Sequence, residues 1–270
     1  MFKSKLKNYA MSAAVIAAIA GSSSASATTI TNANGSFSNW GGFDWASNGT
    51  AVVDGFDATA VTDPFSLTFW ASANAVTDTG GATINLATAG ILSNTYEYTV
   101  EAVLNETSTC THFTAGICDT ATFAVNSGTF RIWYDITPDA NQVTGAGITD
   151  PTLIITGTLL AQAGGGFNVI SGGSATLQAL ITFTNNTFIN PNLASSIATT
   201  TLQLGSNVTN WLAPTSMPGV NGGTQALPAG AILLQADGNQ SFAAVPEPAS
   251  LALLGLGLTG MALARRRKQG

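Results

Sequence analysis

Apolar and polar residues alternate over long stretches of this chain, which is the pattern of β-strands that bury one face. In Thr95–Val103 the even-numbered residues are apolar, and most of the odd-numbered residues are polar. Thr129–Ile136 repeats the alternation, and there Trp133 shares the polar face with Arg131 and Asp135. The pattern predicts two half-buried strands whose polar faces meet solvent, with Trp133 partly exposed.

Glycine-rich breaks, such as Gly80-Gly81 and Gly172-Gly173, separate further segments of strand composition. The pattern predicts only one short helix between the ends of the chain, at Pro191–Ile197, and a long loop at Ala213–Pro228. We therefore predict an all-β domain over residues 28–236, built as an antiparallel β-sandwich or jelly roll, with a linker at 237–244. The other predicted strands are Thr50–Asp54, Phe65–Ala71, Thr83–Leu86, Thr120–Val125, Leu153–Leu160, Phe167–Ile170, Ala175–Phe183, Thr199–Leu204 and Ala231–Gln235.

The first 27 residues have the composition of a secretory signal peptide. Lys3, Lys5 and Lys7 precede the short apolar stretch Ala10–Ala20, and the small residues Ala25-Ser26-Ala27 follow it. This order predicts a signal helix that is cleaved after Ala27, so that the mature chain begins near Thr28. An uncleaved N-terminal anchor is the alternative, but the apolar stretch is short for a membrane span.

The last 26 residues, 245–270, form a second targeting pattern. Val245-Pro246-Glu247-Pro248 precedes the uncharged apolar run 249–264, and Arg265-Arg266-Arg267-Lys268 follows that run. A helix over residues 249–264 rises about 1.5 Å per residue and falls slightly short of a hydrocarbon layer of about 30 Å. We predict a transmembrane helix whose basic flank stays cytoplasmic, so that the preceding residues lie outside.

The proline-containing start, the leucine-rich run and the terminal basic cluster together resemble the PEP-CTERM sorting signal of exported bacterial proteins. The resemblance implies that a membrane-embedded exosortase processes the tail and delivers the protein to the cell surface or the exopolysaccharide matrix. A plain C-terminal anchor is the alternative. The layout is also similar to floc-associated PEP-CTERM proteins, through Phe43-Asp44-Trp45 and Asn48-Gly49-Thr50-Ala51 near the predicted mature start.

Charge in the predicted mature body is almost entirely negative. Arg131 is its only arginine or lysine against thirteen acids, because the other basic residues lie in the two targeting segments. This balance excludes a basic surface for DNA or RNA, so we expect no nucleic-acid partner. Anionic polysaccharide would also be repelled unless a divalent cation intervened.

The only cysteines, Cys110 and Cys118, lie in the predicted exported body. An oxidising compartment favours a disulfide between them, which would close a small loop. A metal or redox pair is the alternative, although the spacing matches neither a Cys-x-x-Cys motif nor a standard zinc site and His112 is the only histidine.

Residues for catalysis are sparse. A nucleophile with a histidine base has no candidate, because His112 lies in the predicted disulfide loop. Paired carboxylates among Glu97, Glu101 and Glu106 could support glycoside hydrolysis, but strand alternation alone also accounts for Glu97 and Glu101 on a solvated face. We therefore expect no enzymatic activity and assign no catalytic residue.

Two further binding hypotheses rest on side-chain chemistry. Acidic residues in two groups could hold Ca²⁺, although Asp and Asn also cap turns through their own side chains. Trp40 and Trp45 could stack on sugars, although burial in a sandwich core is the commoner outcome for such residues. The two acidic groups are Asp44, Asp54, Asp57 and Asp63, and Asp135, Asp139, Asn141 and Asp150.

The sequence therefore predicts an exported, non-enzymatic surface or matrix protein, and the resemblance implies that this protein associates with extracellular polysaccharide in biofilm or floc formation. One alternative is a carbohydrate-binding module, with or without calcium. A second alternative is a secreted enzyme that processes glycans.

Overall fold

The alternating segments fold into antiparallel strands. The computed structural model of the chain describes residues 28–85, 95–205 and 211–242, and within them it has sixteen strands and no α-helix. The strands are β1 Thr29–Asn32, β2 Gly35–Ser38, β3 Trp40–Trp45, β4 Gly49–Asp54, β5 Thr62–Asp78, β6 Thr83–Asn85, β7 Glu97–Thr114, β8 Ile117–Asp135, β9 Thr152–Leu159, β10 Gln162–Asn168, β11 Gly172–Thr184, β12 Ile189–Asn190, β13 Ile197–Leu204, β14 Met217–Pro218, β15 Thr224–Gln225 and β16 Ile232–Phe242.

The pairings of the main sheet close on themselves. β8 pairs with β7 along one edge, and along the other edge its first part pairs with β10 and its last part with β9. β11 pairs with both β9 and β10, and the sheet continues through β13 to β16. β3 and β4 each bridge β16 and β5, and β5 returns to β7. The result is a closed circuit of antiparallel strands around one interior.

The interior holds the main hydrophobic core. Inward-facing residues of every part of the circuit contribute to it, including Trp45, Phe69, Leu104, Phe130 and Leu177, and each is at most 6% exposed. Burying side chains of this size contributes about 1.5–3 kcal/mol each. This core therefore supplies the main driving force for closing the sheet.

A second, smaller core covers the outer face of β4 and β5. Val52 and Trp70 point outward from these strands and pack with Ile148 and Met217. Residues 136–150, here called the covering segment, carry Ile148 and lie over this face. The Trp70 Nε1–H donates to the Gln142 carbonyl at 3.1 Å, and the Thr99 hydroxyl donates to the Ile148 carbonyl at 2.6 Å. The outer face of this half of the sheet is therefore not solvated, contrary to the prediction from alternation.

The prediction of an all-β antiparallel fold is confirmed. The segments predicted at 120–125 and 129–136 belong to one strand, β8, which contains a register shift near Asn126. The predicted helix at Pro191–Ile197 is wrong, since these residues form a turn that leads into β13. The predicted linker is also wrong over residues 237–242, because they continue β16 and pair with β13.

The described residues belong to one compact unit, Ala27–Ala243. Over residues 28–85, 95–205 and 211–242, no helix has the length and apolar character needed to cross a membrane. The predicted signal helix and the predicted transmembrane helix at 249–264 both lie outside the described residues.

Candidate functional site

The residues predicted to direct export lie outside the described part of the chain. They comprise the predicted signal cleavage site, the sorting motif and the basic stop: Ala25 and Ala27; Val245, Pro246, Glu247 and Pro248; Arg265, Arg266, Arg267 and Lys268.

The predicted disulfide is confirmed between Cys110 and Cys118. It joins β7 to β8 near the tip of their hairpin. The Cys110 and Cys118 backbone N–H groups donate to the carbonyls of Val61 and Ala58, at 2.8 Å each. The bridge therefore fastens the hairpin tip at a place where the β4–β5 loop also docks.

The predicted glycan contacts at Trp40 and Trp45 are wrong. Both side chains are 1% exposed, so a sugar ring cannot reach them. They lie on the interior side of the sheet, where Phe43 stacks on Trp45 with ring centroids 4.8 Å apart and Phe242 packs on Trp40 at 5.0 Å. The aromatic residues of β3 therefore serve the core.

The predicted exposure of Trp133 is also wrong. Trp133 is 7% exposed although it lies on the outer face of β8, as its neighbours Arg131 and Asp135 do. Alternation gives the face of a residue correctly but does not tell whether a distant segment covers that face.

Three carboxylates meet where the covering segment contacts the ends of β7 and β8. Oxygen atoms of Glu97, Asp135 and Asp139 all lie within 4.8 Å of one another. Glu97 starts β7, Asp135 ends the neighbouring strand β8 directly opposite Glu97, and Asp139 lies in the covering segment. Asp135 and Asp139 belong to one of the two predicted acidic groups. Glu97 was missed as a member, because the prediction placed it on a solvated face.

Glu97 is held in place by the backbone of the covering segment. Its Oε1 accepts hydrogen bonds from the N–H groups of Asp139 and Ala140, at 2.9 Å each. Burial raises the pKa of Glu97 to about 7, the two backbone N–H groups oppose the rise, and the charges of Asp139 and Asp135 add to it. A cation bound here would relieve the repulsion and lower this pKa.

Asp150 extends the same negative environment. Burial raises the pKa of its carboxyl group, and the charges of Asp139 and Asp135 raise it further. Its Oδ1 is buried and has no hydrogen-bond partner in the described part of the chain. Carboxylate oxygens in this arrangement are the ligand type that Ca²⁺ prefers.

Several other predicted acidic residues serve turns instead. The Asn141 Oδ1 accepts from the N–H groups of Val143 and Thr144, at 2.9 and 3.0 Å. The Asp57 Oδ1 accepts from the N–H of Thr59 at 2.8 Å. These contacts match the turn interpretation of Asp and Asn that the sequence left open.

The three glutamates considered for glycoside hydrolysis lie in different environments. Glu101 faces outward, with its Oε2 3.8 Å from an Arg131 nitrogen, and burial raises its pKa while Arg131 lowers it. Glu106 faces the interior and is 4% exposed. Glu97 and Glu101 share the outer face of β7, whereas Glu106 lies on the opposite side of the sheet.

Comparison with known families gives one finding. The model of the family described as PEP-CTERM protein-sorting motif matches residues 244–268. The match covers the predicted sorting motif, the apolar run and the basic stop. No curated protein and no solved structure matched the chain.

Proposed function

We propose, from the premise that this chain is a PEP-CTERM sorting-domain protein, that it is a non-enzymatic component of the cell surface or extracellular matrix. In this proposal the all-β body is the exported cargo. It is retained with extracellular polysaccharide and supports biofilm or floc formation. The resemblance to floc-associated PEP-CTERM proteins supports the proposed role in biofilm or floc formation.

The sorting motif at residues 244–268 is the observation that carries the proposal. The motif implies export through a membrane-anchored intermediate that an exosortase processes. The signal-peptide pattern at residues 1–27 agrees with this route. The Cys110–Cys118 disulfide suits an oxidising compartment outside the cytoplasm.

A non-enzymatic role is supported by the surroundings of the carboxylates. Glu101 contacts Arg131, and Glu106 lies inside the closed sheet. Loss of a matrix-polysaccharide-degrading activity on Glu97→Gln or Glu101→Gln substitution would contradict this part of the proposal.

The export route is tested by following the tail in producing cells. Mass spectrometry of the surface form is expected to find chains that lack Arg265–Lys268, because the exosortase processes the tail. Substituting Pro246→Ala together with Pro248→Ala should leave the tail intact and the protein in the inner membrane, since proline keeps the start of the tail extended. Pro151→Ala, at an exposed proline outside the motif, should be sorted normally. A surface form that keeps its intact C-terminus would indicate simple anchoring instead.

A second candidate function is calcium binding, favoured by the meeting of Glu97, Asp135 and Asp139. The neighbouring Asp150 adds a buried oxygen without a partner among the described residues. Such a site would reduce repulsion in an acidic protein and would offer a cation bridge to anionic polysaccharide.

Calcium binding predicts a shift in thermal stability. At Ca²⁺ concentrations about 100-fold above Kd, the Tm of the exported protein should rise by about 5 °C or more relative to the protein in EDTA. The shift should be larger at pH 8 than at pH 5.5, because Glu97, with a pKa of about 7, must ionise to bind the ion. Glu97→Gln should abolish the shift, while Glu101→Gln, on the same face of β7, should retain it. Equal Tm values in Ca²⁺ and EDTA would refute the site.

A further inference from the structure

One end of the closed sheet opens into an apolar cavity of about 320 Å³. Side chains from β4, β5, β8, β10, β13 and β16 line it, among them Phe65, Phe123, Phe167 and Leu234. This volume lies at the lower end of the range of small-molecule sites, which are mostly apolar and concave. The cavity lies at the opposite end of β7 and β8 from the pair formed by Glu97 and Asp135.

The walls of the cavity are fixed by backbone contacts. Cys118 and Ala58 both line it, and the Cys118 N–H donates to the Ala58 carbonyl at 2.8 Å. On the other side, the Val169 N–H donates to the Asp119 carbonyl at 3.0 Å. The disulfide holds β8 to β7 at this same end. The cavity is therefore preformed rather than dependent on side-chain rearrangement.

Large apolar side chains surround the mouth of the cavity. Ile117, Val169 and Ile232 line the cavity and are 51%, 61% and 42% exposed. Each Å² of apolar surface that stays in water, instead of being buried, costs about 25 cal/mol of free energy. Clustering around a concave opening distinguishes them from scattered surface residues and indicates a site that an apolar molecule would cover.

Charge around the mouth disfavours anions. Asp119 lines the cavity, and Asp54 and Asp57 directly follow the lining residues Val53 and Phe56 in the chain. Hydrogen bonds from Thr114 and His112 lower the pKa of Asp119, which keeps its carboxylate ionised. His112, whose Nδ1 lies 2.7 Å from an Asp119 oxygen, is the one imidazole of the chain.

Among the described residues the only guanidinium or ammonium group is that of Arg131. It lies beside Glu101, far along β8 from the cavity. A carboxylate or phosphate headgroup would therefore meet negative charge at the mouth and find no arginine or lysine partner in the described part of the chain.

Strand β16 runs away from the cavity. Ile232 and Leu234, at the start of β16, line the cavity, whereas the described chain ends at Phe242. Eight residues of strand separate Leu234 from Phe242, which at about 3.3 Å per residue is about 26 Å. The described chain therefore ends at the end of β16 that is remote from the cavity.

We propose that this cavity binds a neutral small molecule with one alkyl chain and a hydroxyl-type polar end that stays at the mouth. A cavity of 320 Å³ accommodates about ten methylene-sized groups if each occupies about 30 Å³, the volume of a water molecule in the liquid. The chain would contact the phenylalanine and leucine side chains of the cavity. This activity is separate from export and from the proposed calcium site.

The proposal is tested by photo-crosslinking on the full chain. The probe is a ten-carbon alkyl alcohol with a diazirine at the end of the chain, and mass spectrometry maps the labelled peptides. Labels are expected within residues 53–67 and 117–123, two segments that contribute lining residues of the cavity. The Ala121→Phe substitution fills the cavity and should reduce this labelling about tenfold or more, equivalent to about 1.4 kcal/mol. Ala124→Phe adds the same side chain to the exposed face of β8 and should leave labelling unchanged.

A second pair of variants keeps the test valid if Ala121→Phe does not fold. Val169→Glu adds a charge at the mouth, at a side chain that is already 61% exposed, and should reduce labelling. Val220→Glu, at a residue that is 84% exposed and does not line the cavity, should not. The ten-carbon carboxylate analogue should label at least about fivefold less than the alcohol, about 1 kcal/mol of discrimination.

Three outcomes would overturn the proposal. Labelling spread over the whole chain, or unaffected in both cavity variants, would show that no bound molecule occupies the cavity. Equal labelling by the carboxylate would refute the selection against anions. Labelling that appears only after deletion of residues 243–270 would assign the cavity to the chain's own tail.

Discussion

At the scale of single residues, Glu106 is an acid whose environment strongly disfavours its charge. It is 4% exposed, lies opposite Phe65 and Val125 on the neighbouring strands, and accepts no hydrogen bond from any described residue. Burial alone raises its pKa to about 7. A buried carboxylate without a partner is costly once it ionises, so Glu106 makes stability depend on pH.

Replacing Glu106 should change that pH dependence. Between pH 4.5 and about 7 the folded protein keeps a proton that the unfolded chain has released, so the free energy of unfolding falls as the pH rises. The full loss is about 3 kcal/mol above pH 7. In Glu106→Gln this loss should disappear, as measured by urea unfolding at pH 5 and pH 8. Asp57→Asn serves as the control: the folded-state pKa of Asp57 is lowered from 3.8, so its contribution is lost only at more acidic pH and the slope between pH 5 and pH 8 should stay unchanged. An unchanged pH slope in Glu106→Gln would contradict the burial argument.

The role of a residue could be predicted from the sequence where the groups that determine this role are close to it in the chain. The Cys110–Cys118 bridge follows from spacing and compartment, and the turn role of Asp57 follows from its own side chain. Glu97 was misplaced because residues 139 and 140, which are distant from it in the chain, cover it, and Trp133 was misplaced because the outer face of β8 is not solvated at that position. Two of the three members of the acidic cluster, Asp135 and Asp139, could therefore be predicted from the sequence.

At the scale of elements, alternation found most of the long strands. It missed β3, because two consecutive glycines and a single polar residue, Asp44, separate its aromatic residues, so that the strand shows no regular alternation. The glycines are required there: a Cβ on Gly42 would overlap the Gln240 carbonyl oxygen of the neighbouring strand β16. Where two adjacent glycines take the place of larger side chains, the sequence shows no regular alternation that would reveal the strand.

Strand ends were the least predictable features. β16 continues past the predicted boundary to Phe242 because Gly238, Gln240 and Phe242 face the core. β8 continues through the register shift near Asn126, where one extra residue restores the inward direction of the following apolar residues. Both extensions depend on partner strands that are distant in sequence, namely β13 and β3 for β16, and β10 and β9 for β8.

At the scale of the whole molecule, closure of the sheet could not be predicted from the sequence. It depends on β8 and β11 each pairing with β9 and β10 over different halves of their length. Closure also joins the two cores, because β4 and β5 supply both of them. Val52 and Trp70 point to the outer core, and Val53 and Phe69 point to the interior. Neither core can lose its strands without disturbing the other.

Because the two cores share β4 and β5, we predict that both cores unfold in one transition. Urea unfolding of the exported protein, followed by far-ultraviolet circular dichroism and by tryptophan fluorescence, should give coincident midpoints. Ile148→Ala in the outer core and Leu104→Ala in the interior remove fully buried side chains and should each cost about 2–5 kcal/mol. Each substitution should lower both midpoints together, because strands and tryptophans belong to one cooperative unit. If the covering segment instead unfolded independently, Ile148→Ala would shift the fluorescence signal, to which Trp70 contributes, and leave the circular dichroism midpoint in place. That separation would show that closure joins the strands without coupling the two cores.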